Sequence, residues 1–206
     1  MTPARKPPAY AVPYQPGDVI VFAGRGLVSR TIALTTTTWG QFVRLQWVSH
    51  VGICAQVNRY GLLLFESTTL VELPCVIQGR LVRGVSAHCP IERVDSYQGK
   101  VWRLRLDPHV RFDAKRSGGL TRSLMSNLGK PYDARQAIMS GVPWVKRSSW
   151  TRPDRRAMFC DELVSTALID AEIVPRGTYN PSAVAPGWVV WNLIDKGFYG
   201  PLERLR

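Results

Sequence analysis

Cys160, in the run Phe159-Cys160-Asp161-Glu162-Leu163-Val164, opens an apolar-periodic helix, and His50, in Ser49-His50-Val51-Gly52-Ile53 far upstream, opens an alternating strand. A cysteine and a histidine in such settings are the two halves of a thiol nucleophile and its base. Leu163, Val164, Ala167 and Leu168 recur at helical spacing after Cys160, so the thiol is expected at a helix N-terminus. Unpaired N–H groups and the positive dipole end lower a cysteine pKa there, and the same groups can receive an oxyanion. Two considerations oppose this reading. A free cysteine is ordinarily a small buried hydrophobe, and Asp161 beside it would raise the thiol pKa.

His50 lies on a strand pattern in which Val51, Ile53, Ala55 and Val57 face one way and His50, Gly52 and Cys54 the other. That parity allows it to point toward a partner helix. Glu66 is the candidate third member, orienting the imidazole through its second ring nitrogen. Hairpin register decides whether it can do so. Val57 opposite Leu62 would turn Glu66 away from His50, whereas a three- or five-residue loop would bring them together. Ser67 is the alternative if the register slips. His88 and His109 lie in loop-like segments.

The elements that must position these residues can be read in outline. Pro16-Gly17-Asp18 turns into a buried strand, Val19 to Phe22. Residues 27–34 carry helical spacing, and the threonine run from Thr35 to Thr38 reads as a loop. Asn58-Arg59-Tyr60-Gly61 is a hairpin signal, after which Leu62 to Phe65 returns and ends at Glu66. Strand-like runs follow at 70–77 and 100–106. Residues 112–128 read as a helix stopped by Gly129-Lys130-Pro131, and residues 140–157 as an irregular loop rich in tryptophan and arginine. Strands come first and helices later, which is an α+β pattern. The expected organisation is an extended proline-rich arm over residues 1–16 and one domain over 17–206.

Composition narrows the class further. A hydrophobic fraction of 45% and a charged fraction of 20% are those of a globular chain, and no apolar run is long enough to cross a bilayer. The N-terminus lacks a secretory h-region, so cytoplasmic synthesis is expected. A net charge of +12 favours acidic partners: a cell-wall polymer, an anionic lipid or nucleic acid. With no nucleic-acid-binding motif present, nucleic acid is the least favoured of these. Cys54, Cys75, Cys89 and Cys160 show no zinc-ligand spacing, and His88-Cys89 with Cys75 is the nearest approach to a metal constellation.

Five segments in order resemble the circularly permuted branch of the NlpC-type papain-like cysteine peptidases, the YiiX-like group, with a more distant similarity to lecithin:retinol acyltransferase-type enzymes. They are Gly17-Asp18-Val19-Ile20-Val21-Phe22, Ser49-His50-Val51-Gly52-Ile53, Leu64-Phe65-Glu66-Ser67, Gly129-Lys130-Pro131-Tyr132-Asp133 and Phe159-Cys160-Asp161-Glu162-Leu163-Val164. In unpermuted members the Gly-x-Pro-Tyr and cysteine segments come first; here they come last. The resemblance implies a permuted papain-like fold, an antiparallel sheet or small barrel packed on the helix that carries the nucleophile. It also implies Cys160 as nucleophile, His50 as base, Glu66 as third member and Tyr132 near the oxyanion or substrate pocket, with no cofactor. Asp161 departs from the serine common in the family.

The activity so implied is acyl transfer on amide bonds, with peptidoglycan stem peptides as the expected substrate. Incorporation in a phage particle would give a leaderless chain its route to the wall, with the N-terminal arm contacting an assembly partner. Two alternatives stand beside it: a lipid acyltransferase or thioesterase using the same pair, and a catalytically inactive papain-like module of an assembly.

Overall fold

The computed structural model describes residues 14–24, 48–69, 72–133 and 156–206. The expected helix at 27–34, the threonine loop, most of the 140–157 loop and nearly all of the N-terminal arm lie outside them. The described residues form a six-stranded antiparallel sheet with four α-helices. The strands are β1 (Val19–Ala23), β2 (His50–Val57), β3 (Gly61–Thr68), β4 (Gly84–His88), β5 (Lys100–Leu104) and β6 (Glu203–Arg204), in the order β4-β3-β2-β1-β5-β6. The helices are α1 (Pro90–Ser96), α2 (Ala114–Asn127), α3 (Cys160–Asp170) and α4 (Pro186–Asp195).

Alternation along the central strands divides the apolar side chains between two faces. Val19, Val21, Val51, Ile53 and Ala55 join Leu120, Leu124, Leu163, Val164 and Leu168 in the main core, so α2 and α3 cover that face. Ile20, Phe22, Cys54, Leu64 and Val101 meet Val94 and Tyr97 on the other, so α1 covers the second. Arg103, 1% exposed, closes the second face near β6 with Glu203 at 2.5 Å.

Two expectations change. Within the strand-like run at 70–77, none of the described residues 72–77 is strand, the chain turns at 76–78, and the next strand is β4 at Gly84–His88. The reversal at Gly79 explains this. Gly79 has φ +65° and donates to the Cys75 carbonyl, while Cys75 N–H donates to Arg80, so the segment folds back on itself. His88 therefore belongs to a buried strand, not to a loop.

Candidate active site

The β2–β3 hairpin settles the register question. Val57 pairs with Gly61 across the three-residue turn Asn58-Arg59-Tyr60, and Gly61 takes φ +76°. From there Glu66 falls opposite Gly52, on the face that carries His50. Glu66 Oε2 lies 2.7 Å from His50 Nε2, and the Ser67 hydroxyl instead donates to the Met158 carbonyl at 2.6 Å. The two strands then part. Pairing ends at Gly52–Glu66, although β2 begins at His50 and β3 runs on to Thr68 beside β4. The result is a notch in the sheet.

The start of α3 sits at this notch. Cys54 exchanges hydrogen bonds with Gly17 and Asp18 on the β1 side, so by strand alternation the N–H of Val51 addresses the β3 side, where its ladder has ended. The Cys160 sulfur takes up that position, with the Val51 and Asp161 N–H groups facing it. Cys160 is 3% exposed and its thiol donates to Asp161 Oδ1 at 3.5 Å. Burial, and then the Asp161 carboxylate, push the thiol well above its ordinary pKa; the two N–H groups pull the other way. The resting group is the thiol.

His50 and Cys160 approach from different sides. His50 packs against the Phe22 ring at 5.4 Å on the face covered by α1, while Cys160 belongs to the core under α2 and α3. Among the described residues no hydrogen bond joins them. They meet in sequence terms at the notch, since Val51, which addresses the sulfur, follows His50 directly. With Nε2 on Glu66, the ring nitrogen His50 has left for a thiol is Nδ1.

Glu66 is 0% exposed and serves more groups than the sequence indicated. Arg93 of α1 places Nε 2.5 Å from Glu66 Oε1, with its guanidinium 5.0 Å from the Phe22 ring and 5.3 Å from the Tyr97 ring. His88 of β4 stands 3.6 Å from the same oxygen. Burial alone would raise the Glu66 pKa, but His50 and Arg93 outweigh it and hold the carboxyl at about 2. An arginine four residues into a short helix gives no sequence signal. Alternation would have put His88 on a strand had β4 been recognised.

Tyr132 bridges to Met158, two residues before Cys160. Burial raises its phenol strongly, and the charges of Cys160, Asp161 and Asp133 add to that, so the hydroxyl lies within electrostatic reach of the thiol. Asp161 is fully buried, and Glu162 binds the Ser182 hydroxyl at 2.6 Å.

Fold and site together define an α+β protein with a helix-borne cysteine at a notch between strands, beside a His–Glu–Arg network centred on a buried carboxylate. The crystal structure of the metalloprotein YiiX from Escherichia coli O157:H7 is similar: it shares 18% identity with a TM-score of 0.52, and the match covers 94% of this chain and 98% of that one. The likeness establishes a YiiX-like fold. No protein-family model matches the chain, and neither does any curated protein. As for a metal of the kind named for YiiX, both Glu66 oxygens already face nitrogen donors, and no group of three His, Cys, Asp or Glu among the described residues is disposed to hold an ion. The described residues do not fit a resident metal. No helix among the described residues is long and apolar enough to span a membrane.

Proposed function

We propose that the chain is a cysteine-dependent amidase or peptidase on a circularly permuted papain-like fold. The observation that carries this reading is the notch: it seats the Cys160 sulfur against the Val51 N–H, one residue from a histidine whose Nε2 is held by a buried, ionised carboxylate. A carboxylate only accepts, so Nε2 carries the hydrogen and Nδ1 keeps the lone pair of a base.

In the reaction, His50 Nδ1 takes the Cys160 proton as sulfur attacks the carbonyl carbon of an amide. The carbonyl π pair moves to oxygen, where backbone N–H groups at the start of α3 stabilise it. As the carbonyl re-forms, the C–N bond breaks and the leaving amine takes the proton from imidazolium. Water, deprotonated by His50, then releases the acid and the thiol. Coupling proton removal to attack suits a thiol whose own pKa is high, because free thiolate need not accumulate. Tyr132 is assigned to the substrate pocket. The charge of +12 supports a carboxylate-rich substrate such as a peptidoglycan stem peptide.

The test is to incubate wild type and Cys160→Ala with muropeptides and with acyl-lipids in parallel, trapping acyl-Cys160 by acid quench and mass spectrometry. An acyl adduct and released peptide in wild type alone support the proposal; turnover of lipid alone assigns the site to acyl-lipid chemistry. A second reading, an inactive module, is favoured by the carboxylate held against the sulfur at 3.5 Å. Absence of any adduct, together with Cys160 alkylating no faster than buried Cys54 and Cys75, would favour it.

A further inference from the structure

We propose that Arg93 is a positioning residue: from α1 it keeps the Glu66 carboxylate acceptor-only and so sets which nitrogen of His50 carries the hydrogen. The inference rests on the reading of His50 as base. A lone carboxyl as buried as Glu66 is driven toward its neutral form. A neutral acid carries a hydrogen of its own and can donate it to His50 Nε2. That reverses the tautomer, places the imidazole hydrogen on Nδ1 and removes the lone pair that must take the thiol proton. His50 opposes this through Oε2, but its charge comes and goes with its own proton; a fixed positive charge stands on the remaining oxygen, where Arg93 Nε lies 2.5 Å from Oε1.

The other groups around Glu66 do not supply that charge. They are His50 from β2, His88 from β4, and Tyr97 at the end of α1. His88 Nδ1 is 3.2 Å from the Pro74 carbonyl, which only accepts, so that nitrogen bears the hydrogen. Its Nε2 is 2.9 Å from the Ser86 hydroxyl, and burial lowers the His88 pKa. A neutral His88 therefore presents a lone pair toward Glu66. Arg93, 3% exposed and packed on the Phe22 and Tyr97 rings, cannot swing to solvent without leaving both.

The experiment is NMR on the full chain with labelled Glu carboxyl carbons and His ring nitrogens, assigned with Glu66→Gln and His50→Gln. Wild type should keep Glu66 ionised from pH 4 to 8, and whatever His50 is neutral should be the Nε2–H tautomer. Arg93→Met should raise the Glu66 midpoint by about one pH unit or more, a tenfold gain in proton affinity, and populate the Nδ1–H tautomer. Arg93→Lys should retain most of the wild-type behaviour. Adding Arg93→Met to Glu66→Gln, which removes the lone buried charge and guards against misfolding, should leave the tautomer as it is in Glu66→Gln. An unchanged Glu66 titration and tautomer in Arg93→Met would overturn the proposal, as would a further tautomer change in the double variant. Neither readout requires turnover, so failure of the amidase reading would appear separately, as an inert Cys160.

Discussion

Asp161→Asn isolates the charge that opposes Cys160. The carboxylate oxygen is 3.5 Å from sulfur, where two unit charges at an effective dielectric constant near 20 repel by about 5 kcal/mol. With about half of this surviving screening by the facing N–H groups and relaxation, the thiolate is favoured in the variant by about 2.5 kcal/mol over wild type. Thiolate fraction at pH 7.5 then rises about a hundredfold, while the lower basicity takes back nearly half of that exponent, for a net gain of about tenfold in alkylation rate. The assay is methanethiosulfonate labelling followed by peptide mapping. Half-buried Cys89 serves as internal reference, and Cys54 and Cys75 as buried ones. A Cys160 rate that is unchanged or slower, with Cys89 labelling constant, would refute the electrostatic reasoning. The asparagine keeps the shape of the side chain, so a gain cannot be assigned to a new cavity.

Three further outcomes follow from the same geometry. His50→Gln, whose amide can still donate to Glu66, should cut hydrolysis by about 10²–10⁴-fold with a smaller loss of stability than a variant that leaves Glu66 unpartnered, such as His50→Ala; urea melts alongside single-turnover rates would check both. Glu66 is held at about 2 against an ordinary value of 4.5, so its contribution to stability is fully present above pH 4.5 and is lost as pH falls toward 2. The gap corresponds to about 3 kcal/mol, and the stability difference between wild type and Glu66→Gln, followed by urea melts between pH 2 and 7, should shrink in that window. Gly84→Ala places a methyl 2.0 Å from the Lys130 carbonyl at a φ of +138°, and should cost several kcal/mol and displace the Lys130–Tyr132 segment, read as a lower Tm and altered Tyr132 fluorescence.

The hairpin register is the point at which sequence reasoning was nearly sufficient. Parity narrowed the His50–Glu66 question to a loop length, and the three-residue turn answered it, because Gly61 accepts a positive φ that moves the pairing by one residue from the Val57–Leu62 alternative. The run at 70–77 was not legible in the same way. It reads like a strand, yet its described residues are folded back by hydrogen bonds around Gly79, and β4 was hidden behind it. Short α1 carries too few residues to show a helical period, so Arg93 left no trace.

By itself, the order of residues determined the local parts: a thiol at the head of an apolar-faced helix, a histidine at the head of an alternating strand, and a carboxylate on the returning strand. These follow from periods of 3.6 and 2, which short-range sterics impose wherever the chain goes. Tertiary structure decided the rest. It placed His50 on the α1 face and Cys160 on the other, ended the β2–β3 ladder early so that a notch remained, and buried Glu66 where His50 and Arg93 together keep it charged. Burial and pairing depend on segments far apart in the chain, so the electrostatics of this site exist only once the sheet and α1 have closed over Glu66.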